Sequence, residues 1–235
     1  MSDPDFPTNL PKLISTKQYA LVTGLYEQYT TFGITRPSDR PVAISGLQQR
    51  LATRLQVHAR HGTFDRDGWR HRTLLWHRPR SEQSMQRLGG SMPTWSWLAH
   101  SGVVSFKFVG LGPEVFETHN HVQFEGETRL RVWAMEPSRN DMAWRKYLHF
   151  DSTVPPENGL MLAIIARTQT AGSSVLTSHV SQWRSQNGDE GIYLVLVIAP
   201  ARSSVDGVVY EGVGAGLVFQ AQMEQATGGR KVLVC

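Results

Sequence analysis

Cysteine is almost absent from this chain of 235 residues, which contains only Cys235. A single cysteine excludes an internal disulfide framework and a metal site built from several thiolates, and it is typical of a reducing compartment. Residues 1–11 hold three prolines and no apolar run of the signal-peptide kind. The longest apolar run, residues 192–199, is too short to span a bilayer. The sequence therefore predicts a cytoplasmic protein with no membrane partner.

Lysine is also scarce, because only five of the 24 basic residues are lysine, and the net charge is +4. Guanidinium groups suit paired and stacked contacts better than simple solvation. A nucleic-acid surface is usually more basic and more clustered than this. Only residues 66–80 concentrate arginine beside aromatic side chains, and a helix with a solvated, arginine-rich face is the favoured interpretation there. No nucleic-acid partner is predicted.

The signs of disorder are missing as well. The chain is 40% hydrophobic and 19% charged, as in globular proteins that fold without a partner. Its length suits one β-rich domain with a sizeable core. We predict a flexible N-terminal segment over residues 1–14 and a single domain over residues 15–235.

Apolar residues in the first third of the chain recur at spacings of three and four, which predicts helices. Capping and stop residues set the expected ends. The predicted helices cover Ser15–Thr31, a second stretch from Ser38 or Asp39 to near His61 and Gly62, and residues 67–77. Asp39 and Arg40 are expected to form a helix cap and a buried ion pair.

Beyond residue 100 the pattern changes to short segments rich in β-branched and aromatic residues, separated by Gly, Pro, Asn and Ser. These segments are residues 103–109, 122–124, 129–135, 160–167, 192–199, 208–210, 216–220 and 231–234. Several strands without long intervening helices favour antiparallel pairing. We therefore predict an α+β fold in which N-terminal helices pack on an antiparallel β-sandwich or barrel.

Gly212, Gly214 and Gly216 alternate along one predicted strand. Glycines on one strand face allow another chain or a ligand to approach closely. A tight strand crossing is favoured over a nucleotide cradle, because the glycines do not open a helix after a strand. The sequence predicts no cofactor.

His119 and His121 could place two imidazoles on one strand face, as some metal sites require. A third ligand would have to come from elsewhere, for instance His100 or His149. Loop histidines beside acidic residues are more typical of a solvated surface. We therefore predict no metal.

Two tryptophans two residues apart, Trp95 and Trp97, would share one face of a strand and form an aromatic wall. Trp76 could complete that wall from a helix. The wall either closes a core or lines a pocket for a flat apolar ligand. Because each buried tryptophan covers ~150–250 Å², ordinary core anchoring is favoured.

Covalent catalysis is not predicted, because no nucleophile elbow and no Ser/His/Asp or Cys/His pairing can be traced. His58, His61, His71 and His77 could act as acids or bases, although each is more typical of a surface or structural position. Non-covalent catalysis would need positioning and donors aimed at a carbonyl. The candidate catalytic residues are Arg72, His77 and Tyr210, and the candidate substrate-binding residues are Trp76, Trp95 and Trp97.

Several short motifs keep a definite order along the chain. They are Tyr29-Thr30, residues 37–47, Leu74-Leu75-Trp76, residues 93–97, residues 193–197 and residues 210–216. In this order they resemble the region that follows the HET domain in fungal heterokaryon-incompatibility proteins, from about Tyr19 to Val234. The TIR-like HET domain, where nucleotide-directed activity is expected, has no counterpart in the sequence. Gly212 stands where the family pattern usually has an arginine.

The resemblance implies two hypotheses. The first is a stand-alone fungal enzyme of secondary metabolism that cyclises or isomerises an apolar metabolite without a cofactor, by a pericyclic or acid–base route. The second is a non-catalytic module of incompatibility or immune signalling that recognises a protein or small ligand. An enzyme requires a closed pocket with inward Arg, His or Tyr, whereas an interaction module requires an exposed apolar patch and a filled interior. A homodimer is compatible with both.

Overall fold

The structure is a computed structural model. It describes residues 9–13, 15–32, 36, 39–66, 69–79, 85–88, 90–107, 116–118, 122–138, 145, 147–152, 156, 158–168, 191–201 and 209–235. Within the segment 1–14 that the sequence predicts to be flexible, Leu10–Lys12 forms a 3-10 turn and Leu10 is buried.

The described helices are α1 (Ser15–Thr31), α2 (Arg40–Leu55), α3 (Arg70–Leu74) and α4 (Gln220–Glu224). The predicted bounds of α1 are confirmed. No described helix is long and apolar enough to cross a membrane.

The second predicted helix is wrong at its end, because α2 stops at Leu55. Gln56 has a left-handed φ of 53°, and its amide donates to the carbonyls of Ala52 and Thr53. The following residues form a hairpin of β1 (His58–Arg60) and β2 (Thr63–Asp65). Positive φ values at His61 and Gly62 make the two-residue turn that such hairpins favour.

The third predicted helix is also too long, because α3 ends at Leu74. Residues 67 and 68 lie outside the described part of the chain. After Leu74 the backbone is extended, and His77 and Ser105 exchange two backbone hydrogen bonds of 2.9 and 2.8 Å. This long-range bridge replaces the last predicted helical turn.

The predicted strand at residues 103–109 is reduced to that bridge at Ser105, and residues 108–109 are not described. Its predicted alternation is nevertheless present. Val104 and Phe106 are buried, whereas Lys107 is exposed.

The remaining strands form one sheet. They are β3 (Phe116–Thr118), β4 (Gln123–Glu125), β5 (Arg129–Glu136), β6 (Leu148–Phe150), β7 (Met161–Thr168), β8 (Ile192–Pro200), β9 (Val209–Phe219) and β10 (Thr227–Val234). The pairing runs β3-β7-β8-β9-β10-β5-β4, and β5 also pairs with β7. Strands β7, β8, β9, β10 and β5 therefore close a five-membered ring, which is the barrel alternative of the predicted α+β fold. All its pairings are antiparallel except β9 with β10.

Alternation along these strands creates two apolar layers. Leu130, Ala163 and Leu196 belong to one core cluster, whereas Leu162 and Val195 belong to a second cluster on the opposite face. Strands that are buried on both faces read as continuous apolar runs, which explains the sequence of β7 and β8.

The three alternating glycines lie within the single long strand β9, where the sequence predicts two shorter strands. A Cβ at Gly214 would lie 2.5 Å from the carbonyl oxygen of His149, and one at Gly216 would lie 2.6 Å from that of Tyr147. A Cβ at Gly212 would lie 3.1 Å from the carbonyl oxygen of Thr94. The glycine face of β9 therefore lets β6 and the segment around Thr94 pack closely against it. This is the tight crossing that the sequence predicts.

Candidate functional site

The segment of the paired tryptophans does not form a strand. Residues 94–96 form a bend that leads into a 3-10 turn, Trp97–Ala99. The Ser96 hydroxyl caps this turn by accepting a hydrogen bond from the Leu98 amide at 3.0 Å. Trp95 packs into the barrel core and Trp97 into the core of the helical layer. The prediction that the two indoles share one face is therefore wrong.

Each of the three candidate indoles donates its N–H to a backbone carbonyl. Trp95 donates to Thr128 at 3.1 Å, Trp97 to Gly62 at 3.3 Å, and Trp76 to Trp95 at 2.9 Å. All three are at most 3% exposed. Satisfied and fully packed indoles are core anchors. Trp76 joins the two layers, because it packs in the helical core and donates to Trp95 of the barrel core.

Arg72 and Tyr210 contact different parts of the fold. The Arg72 guanidinium lies 5.1 Å from the centre of the Tyr19 ring, in the helical layer. Tyr210 is buried in the barrel core, and its hydroxyl accepts a hydrogen bond of 2.8 Å from Arg230. Of the candidate residues, the structure thus brings Tyr210 and Trp95 into the same barrel core, whereas the Arg72 contact lies in the helical layer.

His77 is buried between backbone carbonyls. Its two ring nitrogens lie 3.1 Å from the Arg78 oxygen and 3.0 Å from the Lys107 oxygen. The ring also packs against that of His149, with centroids 4.2 Å apart. His77 thus anchors the segment that follows α3.

Trp76 packs beside a buried pair of titratable groups, His100 and Asp151. The Trp76 and His100 rings are 4.9 Å apart. The Nε2 atom of His100 lies 4.0 Å from Oδ2 of Asp151, and the two side chains are 6% and 9% exposed. His100 follows the Trp97–Ala99 turn and Asp151 follows β6, so the pair lies where the helical layer meets the barrel.

Burial shifts the two groups in opposite senses. It raises the pKa of Asp151 to about 7, against the opposing charge of Arg78. It lowers the pKa of His100 to about 4, although the Thr94 carbonyl favours the charged form. Between these two values both groups are neutral. The pair is therefore a carboxylic acid beside a neutral imidazole and not an ion pair.

Three polar atoms of this pair have no hydrogen-bond partner among the described residues. They are Oδ1 and Oδ2 of Asp151 and Nδ1 of His100. Leaving a buried polar atom unpaired costs ~1–3 kcal/mol. Buried, unpaired groups with shifted pKa values are typical of functional sites.

Arg40 holds the backbone beside His100. Arg40 is 5% exposed, and its guanidinium donates to the carbonyls of His100 at 2.5 Å and Gly102 at 2.9 Å. Asp39 occupies the N-cap of α2, but its side chain makes no capping hydrogen bond. Arg40 therefore fixes residues 100–102 through their carbonyls, a role that the sequence does not predict.

Residues 85–88, which we call the strap, connect the two members of the pair. The Met85 amide donates to the Asp151 carbonyl at 2.9 Å, and the Leu88 amide donates to the Ala99 carbonyl at 2.7 Å. Arg87 forms an ion pair of 2.5 Å with Glu211 on β9. The strap thus spans the side of the pair between the 3-10 turn and the end of β6.

No group of three or more metal-ligating side chains occurs within the described ranges. His119 and His121, the predicted candidates, lie outside those ranges. His100 and His149 occupy the positions described above.

Comparison with protein-family models, curated proteins and solved structures finds no match.

The central residues of this site were missed by sequence reasoning. The sequence indicates His100 only as a possible third metal ligand, and it gives Asp151 no role. An aspartate after a short apolar strand is ordinary in a loop, so the sequence carries no clear signal for it. The backbone bonds that place it, from Met85 and to Val213, link distant parts of the chain.

Proposed function

We propose that the protein is a cofactor-free isomerase or cyclase that works by non-covalent acid–base chemistry at Asp151. The observation that carries this proposal is the buried Asp151 carboxyl, which has both oxygens unpartnered among the described residues and lies 4.0 Å from the His100 imidazole. A carboxyl with a pKa near neutrality suits proton transfer at physiological pH.

In the proposed reaction, Asp151 gives one proton to the substrate and regains one from it. The neutral Asp151 carboxyl donates its proton to an atom of the substrate, and the resulting carboxylate removes a proton from another atom of the same molecule. The sum is an isomerisation, or a cyclisation when a ring closes between the two transfers. The low-polarity surroundings of Trp76 favour an apolar substrate.

The biological setting is also a proposal. The order of motifs supports a relationship to the region that follows the HET domain in fungal incompatibility proteins. A cytoplasmic role in fungal secondary metabolism, with a small apolar metabolite as partner, fits that relationship and the single cysteine.

A screen of apolar fungal metabolites by native mass spectrometry and thermal shift, followed by product analysis of the hits, tests this function. We expect a hit that the wild type converts and that Asp151→Asn converts at least 100-fold more slowly. Glu136→Gln, which removes a half-exposed carboxylate, is the matched control and should keep wild-type activity. Equal conversion by Asp151→Asn, or a screen without any converted hit, would contradict the proposal.

A second candidate is a non-catalytic recognition module. It is favoured by the packing of Trp76, Trp95 and Trp97, which fill two cores and so leave those indoles to structural roles. Such a module would bind a ligand or protein equally well in the wild type and in Asp151→Asn, with no product formed by either.

A further inference from the structure

His100 and Asp151 are separated by the distance that two polar atoms have when one oxygen bridges them. At 4.0 Å, Nε2 of His100 and Oδ2 of Asp151 are too far apart for a direct hydrogen bond. If an oxygen lay about 2.8 Å from each of them, the angle Nε2···O···Oδ2 at that oxygen would be roughly 90°. A carbonyl or hydroxyl oxygen can accept two hydrogen bonds at such an angle. The separation of the two atoms therefore matches a pair that is bridged by one oxygen.

Both members of the pair can donate a proton. Nε2 of His100 lies 3.4 Å from the Thr94 carbonyl oxygen, and an acceptor at this position selects the tautomer with the proton on Nε2. A substrate oxygen between His100 and Asp151 would share this N–H with the Thr94 carbonyl, whose bond at 3.4 Å is long. Asp151 carries an O–H because its pKa is raised to about 7. Two donors that converge on one oxygen stabilise negative charge that develops there.

The second carboxyl oxygen of Asp151 supplies the other half of an enolisation. Oδ1 and Oδ2 both lack partners among the described residues. One oxygen can therefore give a proton while the other receives one, as carboxylic acids do when they catalyse enolisation.

We propose that the site takes an enolisable carbonyl compound, whose oxygen bridges Oδ2 of Asp151 and Nε2 of His100; this inference rests on the function proposed above. The Asp151 O–H bond breaks and its proton goes to the carbonyl oxygen. The α-carbon gives its proton to Oδ1, the C–H electron pair becomes the C=C bond, and the C=O π pair becomes the new O–H bond. The enol forms and the carboxyl is again neutral, so no co-reactant is consumed.

Phenols are stable enol analogues, and 4-nitrophenol with nitrobenzene forms a matched pair of probes. At pH 6 we expect 4-nitrophenol to bind the wild type and Glu136→Gln and to shift the Asp151 carboxyl carbon and His100 Nε2 resonances. Binding should be at least tenfold weaker for nitrobenzene, which lacks the hydroxyl, and for Asp151→Asn. Equal binding of both probes, or no shift at either residue, would overturn the inference.

Exchange of the α-hydrogens of cyclohexanone in deuterium oxide gives a second readout, which measures the proton transfer itself. The wild type should accelerate exchange at least tenfold over Asp151→Asn, and equal rates would count against the enolisation step. The two proposals fail differently. If Asp151 titrates near neutrality but both probes fail, the substrate class is wrong and the acid–base function stands; if Asp151 titrates in the usual acidic range, the function itself falls.

Discussion

At the scale of single residues, Asp151 and His100 make opposite contributions to the pH dependence of stability. The Asp151 pKa rises from 3.8 to about 7 on folding, so the folded state holds a proton that the unfolded state releases, and stability falls as the pH rises through this range. The His100 pKa falls from 6.5 to about 4, so stability rises between those values. The two effects nearly cancel between pH 4 and 6.5.

Replacing one member of the pair exposes the contribution of the other. For Asp151→Asn, the free energy of unfolding relative to the wild type should increase by about 3 kcal/mol as the pH rises from 4 to 7. His100→Gln should change in the opposite sense between pH 4 and 6.5. Urea denaturation at a series of pH values measures both differences, and pH-independent differences would show that neither group is shifted.

At the scale of elements, the glycine face of β9 determines how closely β6 can approach. A Cβ at Gly216 would meet the backbone oxygen of Tyr147 at 2.6 Å. Because that oxygen belongs to the backbone, it cannot swing aside. The sheet must shift instead, and overpacking of this kind costs ~1–3 kcal/mol.

We therefore expect Gly216→Ala to lower the free energy of unfolding by about 2 kcal/mol or more. The matched control is Gly24→Ala in α1, where the added methyl has no atom within 4 Å and where alanine favours the helix by ~0.5–1 kcal/mol. Denaturant unfolding of both variants tests this. A neutral Gly216→Ala would mean that β6 does not pack on β9 as described.

The strap is the second element that carries a prediction, because it spans one side of the His100–Asp151 pair. Its described contacts are three backbone hydrogen bonds, made by Met85, Gln86 and Leu88, two exposed hydrogen bonds between Gln86 and the Ser101 hydroxyl, packing of Met85 on the helical core, and the Arg87–Glu211 ion pair. A half-exposed ion pair contributes little, ~0.2–1 kcal/mol. Gln86 and Arg87 are exposed, so we expect the strap to open locally while the barrel stays folded, and this opening would admit a substrate.

Removing the ion pair should speed this opening. For Glu211→Gln we expect hydrogen exchange at the Leu88 and Ser101 amides to accelerate by up to about fivefold, as follows from loss of up to ~1 kcal/mol. The amide of Leu196 in β8 serves as the internal reference and should not change. Equal acceleration at Leu196 would indicate global destabilisation instead of strap opening.

At the scale of the whole molecule, the sequence pattern predicts those elements whose formation depends on their own side chains. The apolar spacing of α1 and the β-branched runs of β7 and β8 identify those elements, because their own side chains make the buried faces. The ends of α2 and α3 were wrong because a hairpin and the His77–Ser105 bridge intervene.

Closure of the barrel could not be read from the sequence, since it depends on pairing Ala134 of β5 with Ala163 of β7. The candidate site depends on long-range contacts in the same way. Trp76 and His77 were among the predicted site residues, but His100 and Asp151 are 51 positions apart and meet only when β6 pairs with β9 and the 3-10 turn packs on the barrel.

If Asp151 is a neutral acid at the junction of the helical layer and the barrel, its carboxyl group must titrate near neutral pH. Carbon-13 NMR of the aspartate carboxyl carbons between pH 3 and 9, assigned by comparison with Asp151→Asn, tests it most directly. We predict that the Asp151 resonance titrates with a midpoint near 7. A midpoint near the ordinary value of about 4 would show that Asp151 is ionised at neutral pH and cannot act as the proposed acid.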